Sequence, residues 1–109
     1  MVIVVGTTSF PVSKLKEVTE KFLEVSKKLP LNRDLEKQIL RMAVRVNGNN
    51  IESINVTEVK DGKFDEWLAH GHKVQMEYFN IEGMHFDLKF YQTGADALAL
   101  LGLTMPEQP

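Results

Sequence analysis

The stretch "ILRMAVRVNGNNIESINVTEV", residues 39–59, decides the fold. In its first half Leu40, Met42, Val44 and Val46 alternate with Arg41, Ala43, Arg45 and Asn47. In its second half Ile54 and Val56 alternate with Ser53, Asn55 and Thr57. Successive side chains of a strand point to opposite faces, so each half reads as a strand with one face buried. "NGNN" between them is rich in residues that tolerate positive φ, which predicts a tight turn and hence a β-hairpin.

Moving toward the N-terminus, "LNRDLEKQ" is polar and reads as a linker. Before it, Leu15, Val18, Phe22, Val25 and Leu29 recur at spacings of three and four, the stripe of an amphipathic helix. Charged residues cover its other side, with Glu17 and Lys21, and Glu24 and Lys28, set for i,i+4 pairs. Pro30 ends this helix, and "SFPVSK" leads into it with Pro11 suited to the first turn. Val2–Val5 is a β-branched run closed by Gly6, as expected of a central strand.

Moving toward the C-terminus, "KDGK" closes the hairpin and residues 63–80 form a second helical segment. Phe64, Trp67, Leu68, Gly71, Val74 and Tyr78 share its stripe; Gly71 weakens it, unless it serves close packing or a kink. "MHFDLKFYQT", residues 84–93, is a fourth strand, with Met84, Phe86, Leu88 and Phe90 on one side and His85, Asp87, Lys89 and Tyr91 on the other. "TGADALALLGL" is a short helix over about 94–102, with Thr93 and Asp96 spaced as a capping box and Gly102 at its end. A loosely held tail is expected over 104–109.

The 109 residues make one domain, its core spanning about 1–92. A hydrophobic fraction of 43% and a charged fraction of 26% are those of a globular protein. A net charge of −2 argues against a nucleic-acid partner, which needs a concentrated basic footprint. The chain has no cysteine, which removes disulfides, thiolate catalysis and cysteine metal sites. It has neither an apolar run of membrane-spanning length nor a secretory leader, so no membrane partner and a cytoplasmic location are expected.

The element order is βαββαβ with a small terminal helix, the split-βαβ pattern of ferredoxin-like α+β folds. Right-handed crossovers put both long helices on one side of a single antiparallel sheet and leave its other face open. On this order, with "TTSFPVSK" leading from first strand to first helix, residues 1–92 resemble the dimeric α+β barrel superfamily. The chain is also similar to small proteins that end in a segment like "TGADALALLGL". The resemblance implies that two subunits join open sheet faces in a homodimer. It implies little about activity, because the fold hosts monooxygenases, isomerases, haem-degrading enzymes and ligand sensors.

If the apolar sides of the hairpin and the fourth strand all face the helices, the open face carries Arg41, Ala43, Arg45, Ser53, Asn55, Thr57, His85, Asp87, Lys89 and Tyr91. The first strand adds Ile3 and Val5, or else Val2 and Val4. Such a mixed face serves as a solvated surface, as a polar dimer interface, or as the lining of a small-molecule pocket. As an interface, it would pair Arg41, Arg45 and Lys89 with Asp87 and Glu58. The expected function is binding of a small anionic molecule at the sheet face or dimer interface by Arg41, Arg45, His85 and Tyr91, with Trp67 as an apolar wall.

An alternative is a small cofactor-free or haem-type monooxygenase-like enzyme using Trp67 with His70 or His85. In the resembled superfamily such enzymes use an Asn on the first strand, a Trp, and a His on the second helix. Here the first strand reads "VIVVGTTS" and holds no Asn. A structural or interaction module without a ligand is the third reading. His70 and His72 are about 200° apart on a helix, so no metal site is expected, and no cofactor. His85 and Asp87 form an i,i+2 pair, the geometry of an oriented base or of a surface hydrogen bond.

Overall fold

In the computed structural model, which describes residues 1–107, the hairpin turns at Gly48 and Asn49, with Gly48 at a φ of 60° that a side chain would resist. The elements are β1 (Val2–Pro11), α1 (Leu15–Lys28), β2 (Glu36–Asn47), β3 (Asn50–Val59), α2 (Phe64–Met76), β4 (His85–Gln92) and α3 (Gly94–Ala99). A single 3-10 turn, Val12–Lys14, leads into α1. The four strands form one antiparallel sheet in the order β2-β3-β1-β4. The architecture is α+β, with an open four-stranded sheet and three helices.

Both long helices cover one face, and their stripes fill two clusters. Val18 and Val25 of α1 join Phe10, Ile51, Tyr78 and Ile81, with Val74, Met84 and Phe86 against them. Trp67 of α2 joins Val4, Val59 and Leu35, with Val2, Phe64, Leu68 and Leu88 against them. Val2 and Val4 thus face the helices, and Ile3 and Val5 take the open face. The alternation of β4 holds: Met84, Phe86 and Leu88 pack inward, and Phe90 meets Phe64 edge to face with ring centroids 5.5 Å apart.

Several elements differ from the sequence reading. β1 does not stop at Gly6 but runs to Pro11. A Cβ on Gly6 would lie 2.6 Å from the Asn55 side chain, so this glycine admits a neighbouring side chain and does not end the strand. The segment taken as linker contributes the start of β2, and Leu35 within it is buried. Along α1 the ion pairs are Lys14–Glu17 at 3.5 Å and Lys21–Glu24 at 3.2 Å, both i,i+3, while Lys28 reaches across to Glu77 at 2.6 Å. Thr93 caps α3 as expected, its Oγ1 accepting from the Asp96 N–H at 3.1 Å. Of the tail, residues 108–109 lie outside the described residues.

The largest correction concerns β3. Val2, Val4 and Phe10 stand opposite Val59, Thr57 and Ile51, so the odd residues of β3 face the helices and Ile54 and Val56 face outward. Paired residues of neighbouring strands share a face, so β3 follows β1. Ile51 and Val59 at its two ends are buried and outweigh the central Ile54 and Val56. Thr57 is buried at no polar cost, because its Oγ1 donates to the Lys37 carbonyl at 3.2 Å. Ser53, Asn55 and Thr57 are therefore not on the open face.

β2 departs from simple alternation too. Its register with β3 shifts between Gln38 and Leu40 and again between Leu40 and Ala43, adding one residue each time. Each added residue flips the faces that follow. Leu40, Ala43 and Arg45 stand opposite Val56, Ile54 and Glu52 on the open face, whereas Val44 and Val46 stand opposite Ser53 and Ile51. The four apolar residues of β2 therefore do not share a face. Val44 and Val46 remain exposed because β2 is an edge strand outside the cover of the helices.

The long strands draw the molecule out to 50 × 30 × 21 Å. Its radius of gyration of 16.1 Å exceeds the value of about 13 Å for a compact chain of this length. No helix among the described residues is long and apolar enough to cross a membrane.

Candidate functional site

The residues singled out from sequence lie in three places. Arg45 stands opposite Glu52 on the open face, and its Nε donates to Glu52 Oε2 at 2.8 Å. The Asn47 amide donates to the other oxygen of Glu52 at 2.8 Å. These two bonds hold the Glu52 carboxyl below the usual carboxylate range. Within the chain Arg45 therefore pairs with Glu52, not with Asp87 or Glu58. A shallow hollow of about 270 Å³ lies here, lined by Thr7, Ala43, Arg45, Glu52 and Ile54 among others.

His85 and Tyr91 sit at opposite ends of β4, facing Ser9 and Ile3 of β1. Six residues of strand part them by roughly 20 Å. β4 and β2 are opposite edges of the sheet, so His85, Tyr91, Arg41 and Arg45 do not converge on one pocket. His85 and Asp87 are exposed, and among the described residues no ion pair joins them.

Trp67 and His70 belong to the helix side. Trp67 is buried, and its Nε1–H donates to Glu36 Oε2. This bond ties α2 to the first residue of β2. Burial pushes the Glu36 carboxyl above its ordinary value; the Trp67 N–H, the nearby His70 and Thr57 oppose that rise. Trp67 thus acts as a core residue with a satisfied indole N–H.

Glu36 also forms part of a cleft that no local motif announces. The cleft is about 470 Å³ and is lined by Leu31, Arg33, Glu36, Lys37, Gln38, Arg41 and Lys60. Asn32, between the lining residues Leu31 and Arg33, fixes the turn before β2: its Oδ1 accepts from the Asp34 N–H at 2.9 Å, and its carbonyl accepts from the N–H groups of Leu35 at 3.0 Å and Glu36 at 3.2 Å. The Lys60 N–H donates to the Leu35 carbonyl at 2.9 Å, bringing the end of β3 beside the start of β2. Buried Leu35 anchors this junction to Val4, Val59 and Trp67. Of the sequence candidates only Arg41 lies here. The others were missed because they are scattered from residue 31 to residue 60 and meet only through the Asn32 turn and strand pairing. Among the described residues, no three His, Asp or Glu side chains are grouped to hold a metal ion.

Comparison with known proteins finds no matching family model and no matching curated protein. Among solved structures the chain is similar to the de novo designed protein Foldit4, with 9% identity over 85% of this chain and 99% of that one and a TM-score of 0.49.

Proposed function

We propose that the protein is a ferredoxin-like homodimer of the dimeric α+β barrel type, paired through its open sheet face, and that the joined faces enclose a small molecule. The observation that carries this reading is the content of the face. With β3 turned over, Ile3 and Val5 of β1, Ile54 and Val56 of β3, and Leu40 and Ala43 of β2 form an apolar band on the face opposite the one that α1 and α2 cover. Antiparallel sheets tolerate one wet face when that face is polar. Here Leu40 and Ile54 are both 39% exposed, and Tyr91 of β4 is 51% exposed.

Size supports the same reading. A four-stranded face about 15 to 20 Å wide and about 30 Å long offers roughly 500 Å² per subunit. Two such faces approach the roughly 1,200 Å² at the lower bound of specific interfaces. Lys37, Lys89, Asp87 and Glu58 at the margins of the band supply a polar rim. A second subunit would roof the hollow beside Arg45, where an anionic ligand group competes with Glu52 for the guanidinium. Ile54→Arg tests this. Sedimentation is expected to show a dimer for the parent and a monomer for the variant, with far-UV circular dichroism unchanged. A parent that sediments as a monomer at about 100 μM, a hundredfold above a micromolar Kd, would overturn the reading.

A further inference from the structure

We infer that the cleft at the outer edge of β2, ringed by Arg33, Lys37, Arg41 and Lys60, is a binding site for a small molecule carrying two or more negative charges. Four cations and a single carboxylate line it. Among the described residues, the ion pairs of the chain involve none of these four cations. Like charges gathered on one concave surface repel, and that repulsion is relieved when an anion enters. The one carboxylate does not relieve it. Glu36 is turned to the Trp67 indole, and its burial favours the neutral form. Glu58, opposite Lys37 in the strand register, makes no ion pair with it.

β2 is an edge strand, so its outward N–H and C=O groups have no strand partner, and the register shifts on either side of Leu40 further disrupt the ladder. The N–H groups among them are available to an anion. The volume of about 470 Å³ falls in the range of small-molecule sites, and Leu31 gives it one apolar wall. Guanidinium groups on two different elements, Arg33 on the turn and Arg41 on the bulged strand, suit forked recognition of phosphate or carboxylate. The cleft is lined by residues of one chain, and of its four cations only Lys37 also belongs to the rim of the proposed dimer, so the inference does not depend on that dimer.

Calorimetric titration of the full chain with pyrophosphate and with citrate, at low ionic strength to limit screening, tests it. The expected result is saturable binding of one anion per chain. Stronger binding of pyrophosphate assigns a phosphate ester, and stronger binding of citrate a polycarboxylate. The double variant Arg33→Ala, Arg41→Ala is expected to weaken binding by at least about tenfold, the loss of one good charged contact, while Lys16→Ala, on the exposed side of α1, leaves it unchanged. Both cleft arginines are exposed, so folding is expected to survive, with circular dichroism as the control. No saturable binding of either anion, or equal affinity in the double variant, overturns the inference. Neither result bears on sedimentation, which tests the dimer alone.

Discussion

Gly71 lies in the middle of α2, and a Cβ built there meets nothing within 4 Å. It needs neither close packing nor a kink, so only its helix-weakening effect remains. Gly71→Ala is expected to raise stability by about 1 kcal/mol, read as a higher midpoint in chemical denaturation. Glu36 has the opposite character. Its carboxyl is raised in the folded chain, so the stability it contributes is complete below the ordinary glutamate value and is lost as pH climbs through the folded value. Glu36→Gln keeps an acceptor for the Trp67 indole and removes the charge. Denaturation from about pH 4 to about pH 7 should show the variant gaining on the parent as pH rises. A difference that stays flat would mean that Glu36 is no more burdened by burial when folded than when unfolded.

At the scale of elements, β3 carries the most consequential departure from local pattern. Residues 53–57 by themselves put Ile54 and Val56 inside. Lengthened by Ile51 and Val59, the same strand has apolar residues on both faces, and alternation no longer decides. Register with β1 decides, because Val4 and Phe10 bring Thr57 and Ile51 to the helix side. The expected signature is unequal sensitivity. Ile51→Ala should cost about 2 to 4 kcal/mol, as for a buried Ile, and Ile54→Ala in the monomer under about 1 kcal/mol. Equal costs would reverse the face assignment. α1, α2 and β4 behave otherwise: each has a single apolar stripe and packs through it, although in α1 it is Val18, Val25 and Leu29 that reach the core while Leu15 at the start of the stripe stays 45% exposed.

At the scale of the whole molecule, shape and exposed surface bear on association. Ile39, Leu40, Met42, Val44 and Val46 are all at least 39% exposed on one edge strand, beside an apolar band on the open face. Such a surface is a liability in an isolated chain. If two copies pair, folding is coupled to association, and the thermal midpoint rises with protein concentration. A hundredfold increase in concentration corresponds to about 2.7 kcal/mol per mole of dimer. Thermal scans over that range would detect it, and a constant midpoint would argue for a monomer.

Sequence by itself determined the helices, the hairpin turn and the order of elements along the chain. Helical periodicity, capping at Thr93 and the turn at Gly48 are local, and each involves residues within a few positions of one another. It also placed the inward side of β4, where Met84, Phe86 and Leu88 stand against a wholly polar alternate set. Only tertiary structure decided which face of β3 is covered, where β2 changes face, and that Leu35 is core. Those outcomes rest on strand register, which adds the preferences of paired strands and can override any one of them. The cationic cleft belongs to the same class. Arg33, Lys37, Arg41 and Lys60 carry no motif, and their charges form one surface only because a backbone bond from Lys60 to Leu35 closes the end of the sheet around them.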